Sequence, residues 1–464
     1  MENLFFIYTF FDGIKYCFLF CTVVIKNFDS LVANAPSHLK NVRQDALHIL
    51  EKALHKVNGY NAVHSAISID DFSLHINEKC FSLDSFNNIY LLGFGKASIS
   101  MAKAVKEILP IKEGCIITNE KGKINGIKVY HASHPLPEER NIYATEKLLR
   151  IAKKAGENDL VILLISGGGS SFLCKPRISL GNLRKVTEML MHAGCTIEEL
   201  NTVRKHLSFV KGGQLAKGIK ATIIALVISD VIEDKLEFIS SGPVVADTTT
   251  YSDAQHILEK YGIWEKIKEV DEIIMKGTRG EIEETPKEKF EHVHTFIIAN
   301  NEMACKEAQK KAEEIGYYAK VVSTSITGEA KEVGKAIAEY AKVFPRENAV
   351  LIFGGETTVI VKGEGRGGRN QELVLGAIKE IEGENIVLLS CGTDGKDGNS
   401  DAAGAIVDGW GIKRARKNKL SPDIFLRSND SFTFFKKLGD AIFVKQTGTN
   451  VMDVQIVVKQ QPPS

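Results

Sequence analysis

The sequence predicts an α/β protein in which strands alternate with helices and are covered on both faces. Apolar runs that end in glycine, serine or aspartate recur along the chain, and residues at helical spacing often follow them. The runs lie at 89–93, 161–165, 222–229, 295–299, 349–353 and 386–390. Continuous apolar residues are typical of parallel strands buried on both faces, and such sheets carry their active groups on loops at the carboxyl ends of the strands.

Apolar residues at helical spacing predict the helices of this pattern. An opening amphipathic helix is expected over 37–57, and a second helix follows the first strand over 98–108. A further helical run is predicted over 373–381, after a glycine-rich segment. Strand and helix therefore alternate through most of the chain, as in the α/β class.

The chain length predicts two domains, because 464 residues is about three times the length of a typical single domain. The segment at 277–291 is charged, contains Pro286 and lacks apolar periodicity, so it is the expected boundary region. We therefore expect one domain at 36–290 and another at 291–464.

The composition argues against several classes of protein. Hydrophobic residues make up 44% of the chain and charged residues 25%, with a formal net charge of +1, which disfavours a disordered chain and nucleic acid as a partner. The eight cysteines are scattered without a CxxC pair, as expected for buried free thiols in a reducing, cytoplasmic compartment. The expected partners are small molecules, and the oligomeric state, including a homo-oligomer, stays open.

The N-terminus is unusual because residues 3–25 are almost entirely apolar or aromatic and are long enough to span a bilayer. Asp12 and Lys15 interrupt the run, and no basic segment precedes it as in a signal peptide. We therefore expect residues 1–35 to form an apolar extension outside the fold, without a membrane span. An anchor that lies on a membrane surface is the alternative.

A glycine-rich loop directly follows the apolar run at 161–165. It consists of Ser166, Gly167, Gly168, Gly169, Ser170 and Ser171. The backbone N–H groups of such a loop can approach an anion closely, so binding of a nucleotide or phosphate is predicted in preference to a simple tight turn.

Lys96 lies in a second glycine-flanked turn, at 93–98, which also follows an apolar run. Its ammonium group can act there as a point charge on a phosphate or a carboxylate, and a surface lysine is the common alternative. Neither the GxxxxGK[ST] nor the GxGxxG fingerprint occurs, which disfavours a P-loop NTPase and a nicotinamide dehydrogenase.

Arg369 lies in a glycine-rich loop before the helical run at 373–381, with Arg366 close by. The planar guanidinium fork suits bidentate binding of a carboxylate or a phosphate. Gly354, Gly355 and Glu356 close a strand just upstream, which favours a binding role over that of a solvated loop arginine.

Three aspartates, Asp394, Asp397 and Asp401, follow the last of the apolar runs within eight residues. Their carboxylates can hold a hard cation such as Mg²⁺, which kinases use to neutralise phosphates. Asp230, in the turn after an earlier run, is a fourth candidate. We predict metal ligands at Asp230, Asp394 and Asp397, and capping of backbone amides is the alternative role for each.

Seven short motifs, taken together and in this order, resemble the glycerate kinases of the MOFRL family. They are GFGKAS at 93–98, HPLPEE at 134–139, SGGGSS at 166–171, SDVIED at 229–234, GGETTV at 354–359, GGRNQE at 367–372 and GTDGKDG at 392–398. The likeness runs from residue 38 to residue 458. Met452 departs from the family, which commonly has a polar residue there, and the N-terminal extension has no counterpart.

The resemblance implies a larger Rossmann-like domain at 36–290 and a smaller MOFRL-type α/β domain at 291–464, with the active site in the cleft between them. It also implies ATP-dependent phosphorylation of D-glycerate, typically to 2-phosphoglycerate, and a requirement for a divalent metal. By resemblance, Lys96 and Arg369 are the catalytic residues, and the loop at 166–171 binds the nucleotide or its phosphates.

In the kinase hypothesis, Arg369 holds the glycerate carboxylate, Lys96 stabilises charge on the transferred phosphoryl group, and His134 is a candidate base. The alternatives are an NAD(P)H-dependent hydroxypyruvate reductase and a non-enzymatic protein that binds small carboxylates. The absent GxGxxG fingerprint argues against the reductase, and the acidic cluster argues against the binding protein. The sequence does not fix which hydroxyl group of glycerate receives the phosphate.

Overall fold

The computed structural model describes residues 24–445 and 447–461, which form two six-stranded sheets, one three-stranded sheet and the helices around them. In chain order the strands are β1 (Ile67–Asp70), β2 (Ser73–Ile76), β3 (Lys79–Ser82), β4 (Ile89–Phe94), β5 (Ile111–Thr118), β6 (Ile127–His131), β7 (Leu160–Ile165), β8 (Thr222–Ile228), β9 (Val293–Ala299), β10 (Tyr318–Ile326), β11 (Ala349–Gly355), β12 (Ile386–Gly392), β13 (Gly404–Asp408), β14 (Ala441–Ile442) and β15 (Asp453–Lys459). The helices are α1 (Phe28–Ala33), α2 (Lys40–Lys56), α3 (Gly59–Ala66), α4 (Ser98–Ile108), α5 (Glu139–Ala152), α6 (Gly169–Phe172), α7 (Leu180–His192), α8 (Ile197–His206), α9 (Gln214–Lys217), α10 (Tyr251–Lys260), α11 (Lys268–Thr278), α12 (Asn301–Glu314), α13 (Ala330–Val343), α14 (Arg369–Ala377), α15 (Gly411–Lys417), α16 (Pro422–Arg427) and α17 (Ser431–Leu438).

The first large sheet has the strand order β6-β5-β4-β7-β8-β9, and all of its strands are parallel. Alternate residues of its central strands point into two separate cores: Leu91 and Ile162 into one, Leu92 and Leu163 into the other. Both faces are therefore covered, as the continuous apolar runs predict. The chain order reverses between β4 and β7, and this topological switch point makes a crevice at their carboxyl ends, where open α/β sheets bind ligands.

The second large sheet has the strand order β10-β11-β15-β12-β13-β14. β10 and β11 are parallel, but β15 lies antiparallel between β11 and β12. The expectation of parallel strands is therefore wrong for the run at 386–390, which forms β12 with antiparallel neighbours on both sides. Its residues are continuously apolar because helices such as α2 and α14 cover the sheet, whichever way the neighbouring strands run.

The boundary between the two large sheets lies later in the chain than residue 290. Strand β9 pairs with β8 and completes the first sheet, so the charged segment at 277–291, which is the end of α11 and the loop after it, lies inside the first domain. The second domain resumes with α12, which packs on β10 and β11. Helix α2, from the start of the chain, packs on α12 and on β15 and so also belongs to the second domain.

The described part of the N-terminal extension, residues 24–35, packs on the second domain. Ile25 and Leu31 are fully buried, and a β-bridge joins Ile25 to Val444. The expectation that residues 1–35 lie outside the fold is therefore wrong for this part, because the apolar side chains and the backbone both find partners there. The rest of the apolar run, before residue 24, lies outside the described residues. No described helix is long and apolar enough to cross a membrane.

Removal of residues 24–35 is expected to destabilise the second domain, because it takes away the two large, fully buried side chains of this segment, those of Ile25 and Leu31. Burial of one large aliphatic side chain contributes about 1.5–3 kcal/mol, so the free energy of unfolding should fall by roughly 3–6 kcal/mol. Chemical denaturation of a variant that lacks residues 2–35 measures this loss, and a variant that lacks residues 2–23 is the control. Equal stability of the two truncated proteins would contradict a structural role for residues 24–35.

Candidate active site

The turn that carries Lys96 and the loop at 166–171 lie side by side in the crevice between β4 and β7. The Lys96 N–H donates a hydrogen bond to the Gly167 carbonyl oxygen at 3.0 Å. Gly95 permits this close approach, because its φ is 126° and a Cβ atom there would lie 2.2 Å from the Ser166 hydroxyl. The structure therefore brings together two elements that the sequence predicts separately.

Close packing explains the glycines of the 166–171 loop. A Cβ atom on Gly167 would lie 2.8 Å from a carboxylate oxygen of Asp230, and one on Gly169 would lie 2.0 Å from the Ser240 hydroxyl. The loop is thus a tight connection between β7 and α6 that other parts of the site approach on both sides. Its role in binding phosphate stays a prediction.

Lys96 faces the second domain across a cleft. Its ammonium nitrogen lies 3.7 Å from a carboxylate oxygen of Asp394, and the side chains are 27% and 28% exposed. Behind the 166–171 loop, the pKa of His134 is lowered by burial and by the positive charge of Lys96. Loops at the carboxyl ends of strands from both sheets therefore meet at this cleft.

Arg369 lies at the start of α14, but protein carboxylates occupy its guanidinium fork. Its Nε and Nη2 atoms donate to the two oxygens of Asp453 at 2.6 and 3.0 Å, and its Nη1 atom lies 2.8 Å from an oxygen of Glu356. Burial raises the pKa of Asp453 and of Glu356, and the charge of Arg369 opposes both shifts. This geometry favours a positioning role for Arg369 over the predicted binding of the substrate carboxylate.

Asp397 caps the start of α14, which favours the alternative role, capping of backbone amides, over that of a metal ligand. One of its carboxylate oxygens accepts from the Asn370 N–H at 3.0 Å, and the other accepts from both the backbone and the side-chain nitrogen of Gln371 at 2.8 Å. Burial raises the pKa of this carboxyl group to about 6, although the same hydrogen bonds oppose the shift. Because the first turn of α14 uses both oxygens, a cation would have to compete with these hydrogen bonds for them.

The remaining predicted metal ligands, Asp230 and Asp394, come from different domains. Burial raises the pKa of Asp230, and Lys96 opposes the shift. The pKa of Glu356 is raised first by burial and further by the charges of Asp453, Asp230 and Asp394, so carboxylates crowd this part of the cleft. Within residues 24–445 and 447–461, no three such side chains converge closely enough to hold a metal ion by themselves. Mg²⁺ often uses one or two carboxylates together with substrate phosphates, and this arrangement suits that mode.

Comparison with known proteins places the chain in a family. Residues 45–275 match the model described as "Domain of unknown function (DUF4147)", and residues 349–453 match the model described as "MOFRL family". A glycerate 2-kinase from Pyrococcus horikoshii is 41% identical over 431 residues, which cover 90% of this chain and 97% of that protein. The chain belongs to the MOFRL family of glycerate kinases.

Solved structures of the family have the same fold. The crystal structure of a glycerate kinase from Thermotoga maritima matches with a TM-score of 0.81 at 40% identity, over 90% of this chain and 100% of that one. A relative from Agrobacterium vitis, 38% identical over 79% of this chain and 86% of its own, carries the provisional name hydroxypyruvate reductase. The names of MOFRL-family relatives therefore include both a kinase and a reductase.

Sequence reasoning missed several residues of this MOFRL-family site. Glu356 lies within the motif at 354–359 and Asp453 lies outside all seven motifs, and nothing in their spacing shows that they share an arginine. Arg204 and Lys211 lie outside every quoted motif and reach the 166–171 loop only in the folded chain. Glu356 could have been found, because it directly follows β11 at the carboxyl end of that strand.

Proposed function

We propose that the protein transfers the γ-phosphoryl group of ATP to a hydroxyl group of D-glycerate and so forms 2-phosphoglycerate. The observation that carries the proposal is the position of Lys96, at the switch point of a parallel sheet and 3.7 Å from Asp394 across the cleft. A cation beside carboxylates at this place suits a phosphoryl group and the metal ion that accompanies it. The names of the kinase relatives support the same activity.

Phosphoryl transfer requires positioning and charge stabilisation more than covalent chemistry from the protein. The ATP phosphates are expected between the 166–171 loop and the acidic side of the cleft. Lys96 would there neutralise negative charge that develops on the transferred group. His134 is the candidate acceptor of the hydroxyl proton, because its lowered pKa keeps the imidazole neutral at pH 7.

A divalent cation such as Mg²⁺ is part of the proposal. Asp230 and Asp394 would contribute one or two of its ligands, from the two sides of the cleft, and the ATP phosphates would supply others. Glu356, whose pKa the charges of both aspartates raise, lies beside them. Arg369 would keep Glu356 in place through its 2.8 Å contact. When bound, the ion supplies positive charge to the ATP phosphates.

Reduction of hydroxypyruvate by NAD(P)H is the second candidate, and the name of the Agrobacterium vitis relative favours it. A dinucleotide would be expected at the turn after β4, where GxGxxG fingerprints hold a pyrophosphate. Gly93, near the end of β4, and Gly95 in the turn match the first two glycines of the fingerprint, but the third is absent. The sequence of the crevice therefore favours the kinase.

An assay of the full-length protein separates the two candidates. With D-glycerate, ATP and Mg²⁺ we expect release of ADP that excess EDTA abolishes, and NMR of the product should place the phosphate on the 2-hydroxyl group. Hydroxypyruvate with NADH is the parallel reaction. Oxidation of NADH without any release of ADP would show that the protein is a reductase and contradict the proposed kinase activity.

Replacement of Arg369 with lysine separates the two roles considered for this residue. Lysine keeps the charge but loses the fork that holds Asp453 and Glu356. If Arg369 positions these carboxylates, the KM for Mg·ATP should rise about 10-fold or more, with little change in the KM for D-glycerate. A rise of about 10- to 150-fold in the KM for D-glycerate alone would instead favour the predicted contact with the substrate carboxylate.

A further inference from the structure

Two cations lie together beneath the 166–171 loop: Arg204 of α8 and Lys211 of the segment before α9. The Lys211 ammonium group donates to the Ser170 carbonyl oxygen at 2.7 Å and to the Leu173 carbonyl oxygen at 3.2 Å. The Nη2 atom of Arg204 donates to the same Ser170 oxygen at 3.3 Å. One backbone carbonyl of the loop therefore holds both cations side by side.

Neither cation has an acidic partner in the part of the chain that the structure describes. Burial and the neighbouring Arg204 lower the pKa of Lys211 to about 7, and burial lowers the pKa of Arg204. Cys174 opposes both shifts, but no carboxylate among the described residues does. Lys205, the next residue on α8, shows the usual arrangement, because it is buried but paired with Asp247 at 3.1 Å. A buried cation without a counter-ion is costly, and Lys211 is 4% exposed beside the partly buried Arg204, so this pair indicates an anionic ligand.

A polar group without a partner lies against the same loop. Ser240 is 7% exposed, and its hydroxyl has no hydrogen-bond partner among the described residues, although it directly faces Gly169. Ser240 and Ser241 have φ values of 54° and 62°, a left-handed conformation that non-glycine residues adopt at a cost. The Ser241 hydroxyl lies 2.8 Å from that of Ser170, so this strained turn adjoins the residue that both cations contact.

We propose that Arg204 and Lys211 bind the carboxylate of the hydroxy-acid substrate and that Ser240 hydrogen-bonds to one of its hydroxyl groups. This inference deepens the proposed kinase function and rests on it. The guanidinium fork of Arg204 suits a carboxylate. Within the described chain this fork donates only one long hydrogen bond, to the Ser170 carbonyl oxygen, so most of its N–H groups are left for a ligand. Arg369, the residue predicted for this task, already holds protein carboxylates.

The charges on the two sides of the cleft indicate where the ATP phosphates and the substrate carboxylate each bind. The second domain brings Glu356, Asp394 and Asp453 to the cleft, and this side suits phosphates that arrive with a cation. Arg204 and Lys211 have no acidic partner among the described residues, so their part of the first domain suits an anion that carries no metal. A carboxylate is that kind of anion, whereas Mg·ATP is not.

Calorimetric titration of the full-length protein with D-glycerate, without nucleotide, tests the inference directly. Arg204→Gln is expected to weaken D-glycerate binding about 10- to 100-fold and to leave the affinity for ATP unchanged. Arg177→Gln is the matched control, because this half-buried arginine donates to the Ser208 carbonyl oxygen and to Gln214 instead. The control should bind D-glycerate as the wild type does.

Ser240→Ala provides a second variant that should fold normally, because the hydroxyl has no partner within the described chain. We expect an unchanged thermal unfolding midpoint and about 3- to 10-fold weaker binding of D-glycerate. Unchanged D-glycerate affinity in both variants would overturn the inference, and so would a loss of ATP affinity while D-glycerate still binds. If wild-type protein binds D-glycerate, Arg204→Gln weakens that binding, and no ADP is released, the carboxylate site is supported and the proposed kinase activity is contradicted.

Discussion

Lys96→Ala is expected to lower kcat about 100-fold or more while the KM for D-glycerate changes by less than about 3-fold. The ammonium group lies at the sheet switch point, 3.7 Å from Asp394, where it can meet negative charge as the phosphoryl group moves. A charge that acts mainly in the transition state affects turnover more than binding of the substrate in the ground state. Steady-state kinetics at saturating Mg·ATP measures both quantities.

The control for this prediction is Lys103→Ala, because Lys103 is an exposed lysine on α4, the helix that follows the Lys96 turn. Circular dichroism and thermal unfolding show whether each variant keeps its fold. Near-normal kcat in Lys96→Ala would show that Lys96 does not stabilise the transition state and only pairs with Asp394. The proposed mechanism would then fail, although membership of the MOFRL family would stand.

Four strands of the first sheet, β4, β7, β8 and β9, could be predicted because each is a local apolar run, whereas the edge-side strands β5 and β6 were not predicted. Strand β15 could not be recognised in this way, since its position depends on β11 and β12, which come much earlier in the chain. The direction of β12 was predicted wrongly for the same reason. Burial on both faces fixes the composition of a strand, but the neighbour that pairs with it fixes its direction.

The active site could be predicted in its residue types but not in its contacts. Lys96 and Asp394 meet because the carboxyl ends of strands from both sheets face one cleft, which the α/β pattern predicts. Asp394 and Asp397 look alike in the sequence, since each is an aspartate beside glycine in one turn. Only the position of α14 separates them, because its first N–H groups bind Asp397 and leave Asp394 at the cleft.

Arg43→Met is expected to lower the free energy of unfolding of the second domain by about 3–5 kcal/mol. Arg43 is fully buried on α2, and its guanidinium nitrogens lie 2.6 Å from Asp408 and 2.6 Å from Asp440, which are also fully buried. Arg414 contacts both aspartates at 2.9 Å and would be the cation left to them in this network. Without Arg43, two buried carboxylates would share one guanidinium group and repel each other.

Arg416→Met is the matched control for this second prediction. Arg416 is 62% exposed and pairs with Glu382 at 2.5 Å, and a surface ion pair of this kind contributes no more than about 1 kcal/mol. Trp410 reports unfolding by its fluorescence in urea, because its backbone N–H donates to Asp408 at 2.9 Å and so lies beside the buried network. Equal losses of stability in the two variants would contradict the role given to the buried charges.

The pH dependence of the difference between wild type and Arg43→Met gives a further check. Burial alone would raise the pKa of Asp408, but Arg43 and Arg414 outweigh it and hold the pKa below its ordinary value. A carboxyl group with a lowered pKa contributes stability above its ordinary pKa and loses it as the pH falls through the lowered one. The difference in unfolding free energy should therefore be complete at neutral pH and shrink only in acid, whereas a loss caused by poor packing of methionine would persist at both.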